Sequence, residues 1–182
     1  MSRIATPPTV ADAPPASQRL LDAVKQQLGS VPNLFLVVAN SPAALEGYLG
    51  LSSALGKGEL DAKTRNRVAL RVAELNGCDY CLSAHTYLGT NVAKLEPAEL
   101  TTNRDGHSSD LKAEAALLFV GKVVQTRGHV SDADVRAVKA AGYNDAQVVE
   151  LVLHVALNTL TNYINTVAQT DIDFPHITKR AA

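Results

Sequence analysis

Two cysteines and a histidine occupy one short stretch of the sequence at spacings that a helix would bring together. Cys78 and Cys81 are three residues apart, and His85 follows four residues after Cys81. Residues three and four apart lie on the same face of an α-helix. A break at Asn76-Gly77 directly precedes the pair. Both thiols therefore fall in the first turns of the predicted helix, where free N–H groups and the helix dipole stabilise a thiolate.

These residue types are the parts that a two-electron thiol reaction needs. A thiolate can attack a peroxide or a disulfide, a second thiol can resolve the oxidised sulfur, and a histidine can carry the proton. The same spacing is also compatible with two small buried core residues, or with part of a zinc site that still lacks a fourth ligand. The sequence has no second CxxC and no HxxxH to complete a metal site. We predict no metal and no bound cofactor.

The composition favours a folded helical protein and argues against two classes of partner. The 182 residues are 46% hydrophobic and 19% charged, with 4% aromatic residues and no tryptophan. A net charge of -1 provides no basic excess for nucleic acid or an anionic membrane surface. No run approaches the roughly 18 apolar residues of a membrane span, and the proline-rich start lacks the apolar core of a secretory signal. We expect a cytoplasmic protein, where a structural disulfide framework is rare.

Capping residues and apolar spacing predict a succession of helices, with no alternating strand pattern. We expect a flexible N-terminal arm over 1–16 and a single all-α domain over 17–182. Residues 90–108 are the least regular part, for which we predict short helical turns and a surface loop. The predicted helix caps are Ser17, Ser41, Asp61, Asp110, Ser131 and Asn144.

The last and longest predicted helix carries a polar stripe on an otherwise apolar background. His154 is followed by Asn158 and Asn162 at helical spacing. The stripe either lines a site or a subunit contact, or consists of interior polar groups that are satisfied by hydrogen bonds. His154 and Asn158 are therefore candidate pocket residues.

The stretch from Glu74 to His85, Glu-Leu-Asn-Gly-Cys-Asp-Tyr-Cys-Leu-Ser-Ala-His, resembles the signature of the AhpD-like alkylhydroperoxidases. These belong to the carboxymuconolactone decarboxylase superfamily, and the similarity is greatest to the group of peroxidase-related proteins. It extends over most of the chain, through the segments 31–35, 41–48 and 154–163. The resemblance implies an AhpD-like helical bundle with the CxxC at the N-terminus of a helix. It also implies a homo-oligomer, a trimer or a hexamer.

The resemblance further implies a thiol-dependent peroxidase that reduces organic hydroperoxides. Cys81 would be the peroxidatic thiolate, Cys78 would condense with it into a disulfide, and His85 would accept the Cys81 proton. An external dithiol, on a lipoyl domain or a thioredoxin-like protein, would then reduce the disulfide. In the best-studied branch a histidine precedes the second cysteine, and here that position is Tyr80. Tyr80 would border the substrate or pack in the interior.

A second departure concerns the proton relay. The family often has a glutamate twelve residues before the first cysteine, and here that position is Asn66. An asparagine can form hydrogen bonds there but cannot carry a proton. Glu74, close before the break, would then serve in the relay. Two other functions stay open: a carboxymuconolactone-type decarboxylase, whose branch generally lacks the cysteine pair, and a non-catalytic redox-sensing or scaffold protein that uses the same pair.

Overall fold

The structure, a computed structural model, describes residues 2–180, and this part of the chain consists of helices and connecting segments without a strand. The predicted all-α class is therefore confirmed. A short 3-10 helix (Val10–Asp12) precedes α1 (Pro15–Leu28), α2 (Asn33–Val38), α3 (Pro42–Gly56), α4 (Ala62–Asn76), α5 (Asp79–Asn91), α6 (Pro97–Asp105), α7 (Leu111–Gln125), α8 (Asp132–Ala140) and α9 (Asp145–Ala168).

Five of the six predicted caps begin a helix as expected. In each case the side-chain oxygen accepts a backbone N–H of the first helical turn, which satisfies a donor that the helix itself leaves unpaired. Ser131 and Asn144 also form capping boxes with the third residue of their helices. The confirmed caps are Ser41, Asp61, Asp110, Ser131 and Asn144.

The sixth predicted cap, Ser17, is wrong. The first helix begins at Pro15, two residues earlier, because a proline at the first helical position is already fixed at a helical φ and needs no N–H partner. Ser17 lies inside α1, fully buried, and its hydroxyl donates a hydrogen bond of 2.7 Å to the carbonyl oxygen of Ala39. This serine joins α1 to the end of α2.

Hydrogen bonds attach the residues before α1 to the ends of α9 and α2, and Ala13 is buried in the core. The Arg3 N–H donates to the carbonyl oxygen of Ala168 at the end of α9, at 2.6 Å. The Asn40 side chain donates to the carbonyl oxygen of Ala5 at 2.7 Å. The division into a flexible arm over 1–16 and a domain over 17–182 stays a prediction, and its residues 1, 181 and 182 lie outside the described residues.

The irregular stretch 90–108 is more ordered than predicted. It contains α6, a nine-residue helix with Pro97 at its first position. Gly106 ends the helix in the left-handed conformation, at φ 89°, where a residue without Cβ is least strained. The polar composition of this short helix hides it in the sequence, since its apolar face is too narrow to show a helical period.

Helix α4 lies at the centre of the fold and positions the cysteine motif. It contacts α5, α6, α7 and α9, and Val68, Leu70 and Val72 on it are fully buried. One apolar cluster joins α4 and α5 to the N-terminal helices, and a second joins α4 to α7, α8 and α9. Gly77 ends α4 at φ 66°, and this turn lets α5 begin directly after it.

A buried ion pair fixes α6 and the following loop to α4. The Arg67 Nε donates to the Glu99 carboxylate at 3.0 Å, and both side chains are 10% exposed. The same carboxylate accepts hydrogen bonds from Asn103, Ser108 and Ser109. Burial alone would raise the pKa of Glu99, but the hydrogen bonds from these residues lower it to about 2. Glu99 is therefore ionised at neutral pH, with its charge held by several donors.

Within residues 2–180, no helix combines the length and the hydropathy that crossing a membrane requires.

Candidate active site

The two cysteines lie at the junction of α4 and α5 and form a disulfide. Cys78 is the N-cap of α5, and its Sγ accepts the backbone N–H of Cys81 at 3.2 Å. The Cα atoms of the two residues are 5.3 Å apart, and a disulfide joins the side chains. The expected CxxC at a helix N-terminus is confirmed. The cysteines are 2% and 3% exposed, so the disulfide lies beneath the protein surface.

Asn165, which was not among the residues predicted from the sequence, contacts the second sulfur. Its Nδ2 donates to Cys81 Sγ at 3.4 Å. Asn165 is 3% exposed, and its Oδ1 has no hydrogen-bond partner among residues 2–180. One signal could have found it, because Asn165 continues the polar stripe of His154, Asn158 and Asn162 along α9.

His85 lies one turn after Cys81 on α5, on the same helix face. Burial lowers the pKa of His85 to about 4 in this disulfide form, so its imidazole is neutral at pH 7. The Asn66 side chain donates to the backbone carbonyl of His85 at 3.1 Å. A Cβ at Gly89 would lie 2.5 Å from Leu100 Cδ2 and 2.7 Å from Asn66 Oδ1, so the glycine leaves room for both side chains. The structure therefore brings Asn66 to the His85 turn.

Glu74 is engaged in an ion pair. One carboxylate oxygen accepts from Arg104 Nε at 2.6 Å, and the other accepts from the backbone N–H of Arg180 at 2.8 Å. Both side chains of the ion pair are largely buried. In this form of the protein the Glu74 carboxylate connects α4 to α6 and to the chain after α9. Its part in a proton relay stays a prediction.

Tyr80 packs in the interior between the cysteines. Its hydroxyl oxygen accepts the backbone N–H of Leu34 at 3.1 Å, and its ring meets the ring of Phe174 edge-on at 5.8 Å. Burial raises the pKa of Tyr80, and the neighbouring Asp173 raises it further. The phenol is therefore neutral and ties α5 to α2 and to the end of the chain.

The residues after α9, 171–180, run back across the first turns of α5, and we call them the C-terminal segment. The N–H of Ile177 donates to Ser83 Oγ at 2.9 Å, and the N–H of Lys179 donates to Asp79 Oδ1 at 2.8 Å. Three apolar side chains of the segment pack on the cluster that contains both cysteines: Ile172, Phe174 and Ile177. The segment thus covers the start of α5 and contributes to the burial of the disulfide.

His154 and Asn158 are not brought to the sulfurs. Both are buried on α9, but His154 lies eleven residues before Asn165, about 16 Å along the helix axis. Burial, together with the charge of Arg65, lowers the pKa of His154 to about 4, and its Nε2 has no hydrogen-bond partner among the residues described. The Asn158 side chain donates to the backbone carbonyl of His154 at 2.7 Å. Their role as pocket residues stays a prediction.

Comparison with known proteins finds similarity to one family over the middle of the chain. Residues 42–103, which run from α3 to α6 and include the cysteine motif, match the carboxymuconolactone decarboxylase family. The matched stretch is about a third of this chain. A relative in Haemophilus influenzae, named only as an uncharacterized protein, is 47% identical over 45 residues, which are 24% of this chain. The match spans 40% of the length of that relative.

Solved structures share the fold of this protein over nearly the whole chain. An AhpD core protein of Ralstonia eutropha JMP134, described as peroxidase-related, has a TM-score of 0.84 at 23% identity and covers 94% of this chain and 92% of its own. A peroxidase-related protein of Silicibacter sp. TM1040 has a TM-score of 0.77 at 22% identity, with 94% of each chain covered. The debrominase Bmp8, in a cysteine-to-alanine variant with 2,3,4-tribromopyrrole, has a TM-score of 0.79 at 19% identity, covering 95% and 94%.

Proposed function

We propose that this protein is a thiol peroxidase that reduces organic hydroperoxides through a Cys78–Cys81 disulfide cycle. The observation that carries the proposal is the disulfide itself, placed at the N-terminus of α5 with His85 one turn further along the same face. A disulfide across a helix start can be reduced to a thiol whose thiolate the helix dipole stabilises. Two structural neighbours that are named as peroxidase-related agree with this function.

The proposed cycle has three steps. The Cys81 thiolate attacks the terminal oxygen of the hydroperoxide, so that an S–O bond forms and the O–O bond breaks. His85 accepts the proton of the Cys81 thiol, directly or through water, and returns it to the departing alkoxide, which leaves as an alcohol. The Cys78 sulfur then attacks Cys81 Sγ, the S–S bond forms, and the oxygen leaves as water with the Cys78 proton. A dithiol finally reduces the disulfide by exchange and is itself oxidised.

The reductant in this proposal is a lipoyl domain or a thioredoxin-like protein, and the cycle fits a reducing cytoplasm. Asn66, next to His85, cannot relay a proton, so the proton must pass through His85, solvent or a rearranged Glu74. The two alternative functions predict different results. A muconolactone-type decarboxylase consumes no thiols, and a redox sensor is oxidised once without repeated turnover.

The deciding experiment measures the oxidation of the two cysteine thiols by a hydroperoxide. Reduced protein is mixed with one equivalent of an organic hydroperoxide, and free thiols and intact mass are measured over seconds to minutes. We expect the loss of two thiols and two hydrogens, and then many cycles of peroxide consumption when excess dithiol is added. Oxidation that stops after one cycle would support the sensor, and unchanged thiols would contradict the peroxidase.

A parallel reaction with 2,3,4-tribromopyrrole tests a different oxidant, because Bmp8 binds that compound on the same fold. Thiol loss with the bromopyrrole and none with the hydroperoxide would contradict the peroxidase function and support a dehalogenase function.

We also propose that α9 carries the contact surface of a homo-oligomer. Its outward face exposes apolar side chains at alternating intervals of four and three residues, the spacing of helix-to-helix seams. Val149, Tyr163 and Val167 are about 60% exposed and Leu160 is 41% exposed. An apolar stripe of this length is costly in water and marks an interaction site. The seam consists of Val149, Leu153, Ala156, Leu160, Tyr163 and Val167.

A charge in the middle of this seam should disrupt the oligomer. We expect wild-type protein to be a trimer or a hexamer and the double variant Leu160→Asp, Tyr163→Asp to shift to smaller species, because each buried carboxylate would cost several kcal/mol. Light scattering after size exclusion measures the mass. Ala137→Asp adds one such charge at an exposed position of α8 and should leave the mass unchanged. A monomeric wild type would contradict the proposal.

A further inference from the structure

Cys81 and Cys78 obtain their hydrogen bonds from different parts of the protein. The backbone N–H of Cys81, a free donor of the first turn of α5, is directed at Cys78 Sγ. The Cys81 sulfur instead accepts from Asn165, which is 84 residues away in sequence and belongs to α9. The start of α5 therefore donates a hydrogen bond to the Cys78 sulfur, and a side-chain amide of α9 donates one to the Cys81 sulfur.

Asn165 is placed to act on a sulfur that becomes charged. Burial without a compensating group raises the pKa of a thiol, because the low-dielectric interior disfavours the thiolate. A hydrogen bond to an anionic acceptor is stronger than one to a neutral acceptor. The bond from Asn165 Nδ2 therefore gains strength when the disulfide is reduced and Cys81 ionises.

The side-chain amide of Asn165 also has an oxygen atom, Oδ1, that can accept hydrogen bonds. Asn165 Oδ1 is buried and has no hydrogen-bond donor among the described residues. A buried amide oxygen without a donor is costly, and such groups are uncommon in folded proteins. The hydroperoxide carries an O–H on the atom that Cys81 attacks, and the sulfenic acid carries one on the same oxygen after the attack. Either could donate to Oδ1.

We propose that Asn165 is a catalytic residue of the thiol cycle, whose Nδ2–H stabilises the Cys81 thiolate and whose Oδ1 accepts the O–H of the bound hydroperoxide and then of the sulfenic acid. This inference rests on the proposed peroxidase function. Asn165 neither gains nor loses a proton, and the bonds made and broken are those of the cycle above. Its effect is to lower the pKa of the Cys81 thiol and to align the oxygen that is transferred.

The first test needs no peroxide. In a Cys78→Ser background Cys81 is the only thiol, and the pH dependence of its alkylation by iodoacetamide gives its pKa. We expect Asn165→Ala and the nearly isosteric Asn165→Leu to raise that pKa by about one unit, corresponding to a tenfold smaller thiolate fraction near neutral pH. Thr161→Ala removes another buried polar group of α9, whose hydroxyl bonds only within its helix, and should leave the pKa unchanged.

The second measurement in the same variants is the rate of sulfenic acid formation with an organic hydroperoxide. We expect the Asn165 variants to be slower at a matched thiolate fraction, because the Oδ1 contact is also lost. An unchanged pKa and rate in folded Asn165→Leu would overturn the inference. A different outcome separates the two proposals. If the parent protein does not react with hydroperoxide but the Asn165 variants still raise the pKa of Cys81, the peroxidase function is wrong and the hydrogen bond from Asn165 to the thiolate is supported.

Discussion

We expect Cys81→Ser to abolish the proposed hydroperoxide consumption, with a fall in rate of about three orders of magnitude or more. The reason is that a serine hydroxyl with an ordinary pKa is a far weaker nucleophile than a thiolate. In the proposed cycle Cys81 is the thiol that attacks the hydroperoxide, and Cys78 acts only afterwards. The rate is measured as peroxide loss with excess dithiol. Thermal unfolding of the same variant checks that the fold is kept, since serine and cysteine are similar in size.

Cys78→Ser is the matched control for this result. Without added dithiol it should still consume one equivalent of hydroperoxide and then stop, because the sulfenic acid at Cys81 has no resolving thiol. A sulfenic-acid trap such as dimedone should add to Cys81 in this variant and not in Cys81→Ser. The opposite outcome, trapping at Cys78, would exchange the roles of the two sulfurs. One contact would favour Cys78 as the attacking thiol, because Cys78 Sγ accepts the backbone N–H at the start of α5.

The second large effect is on stability, in the variant Glu99→Ala. We expect the free energy of unfolding to fall by about 3–5 kcal/mol, the usual range when one partner of a buried ion pair is removed. The variant leaves the buried Arg67 guanidinium with only the partly exposed Asp110 carboxylate, at 3.9 Å, among its ion-pair partners in the described residues. It also leaves the donors of Asn103, Ser108 and Ser109 without their acceptor. Urea unfolding at one fixed protein concentration measures the change.

The pH dependence of this difference provides an independent check. The pKa of Glu99 is about 2 in the folded protein and 4.5 without the fold. Between these values the unfolded state binds more protons than the folded state, so stability decreases as the pH falls. The difference between wild type and Glu99→Ala should be constant above about pH 5 and shrink towards pH 2. Glu96→Ala, at an exposed position just before α6, should change stability little, and an equal loss there would contradict the assignment of the effect to the ion pair.

The helical architecture could be predicted because its signals are local. Ser41, Asp61 and Asn144 accept N–H groups three residues away, so each cap is complete within a few residues of sequence. The CxxC at the start of α5 was predictable for the same reason. Ser17 shows the limit of such reasoning, because its hydroxyl forms a bond with Ala39, 22 residues away, and Pro15 begins the helix.

The parts of the site that were missed all depend on contacts between distant residues. Asn165 meets Cys81 across 84 residues, and Arg180 meets Glu74 across 106. Nothing in the local pattern of α9 says which of its polar side chains would face a sulfur. Glu74 illustrates the converse case, since a carboxylate close to the motif in sequence is engaged by Arg104 and by the C-terminal segment in the fold.

Three of the bonds that attach the C-terminal segment constrain its length, whereas the packing of its apolar side chains and the ion pair of Arg180 with Asp105 constrain its composition. At Ile177, Lys179 and Arg180 the bond to the body of the protein is donated by the main-chain N–H, which every residue except proline possesses. Substitutions at these positions can preserve the bonds, whereas an insertion or a deletion shifts the register of all later donors. Related chains could therefore differ in sequence at these three positions while the number of residues between the end of α9 and each attachment point stays the same.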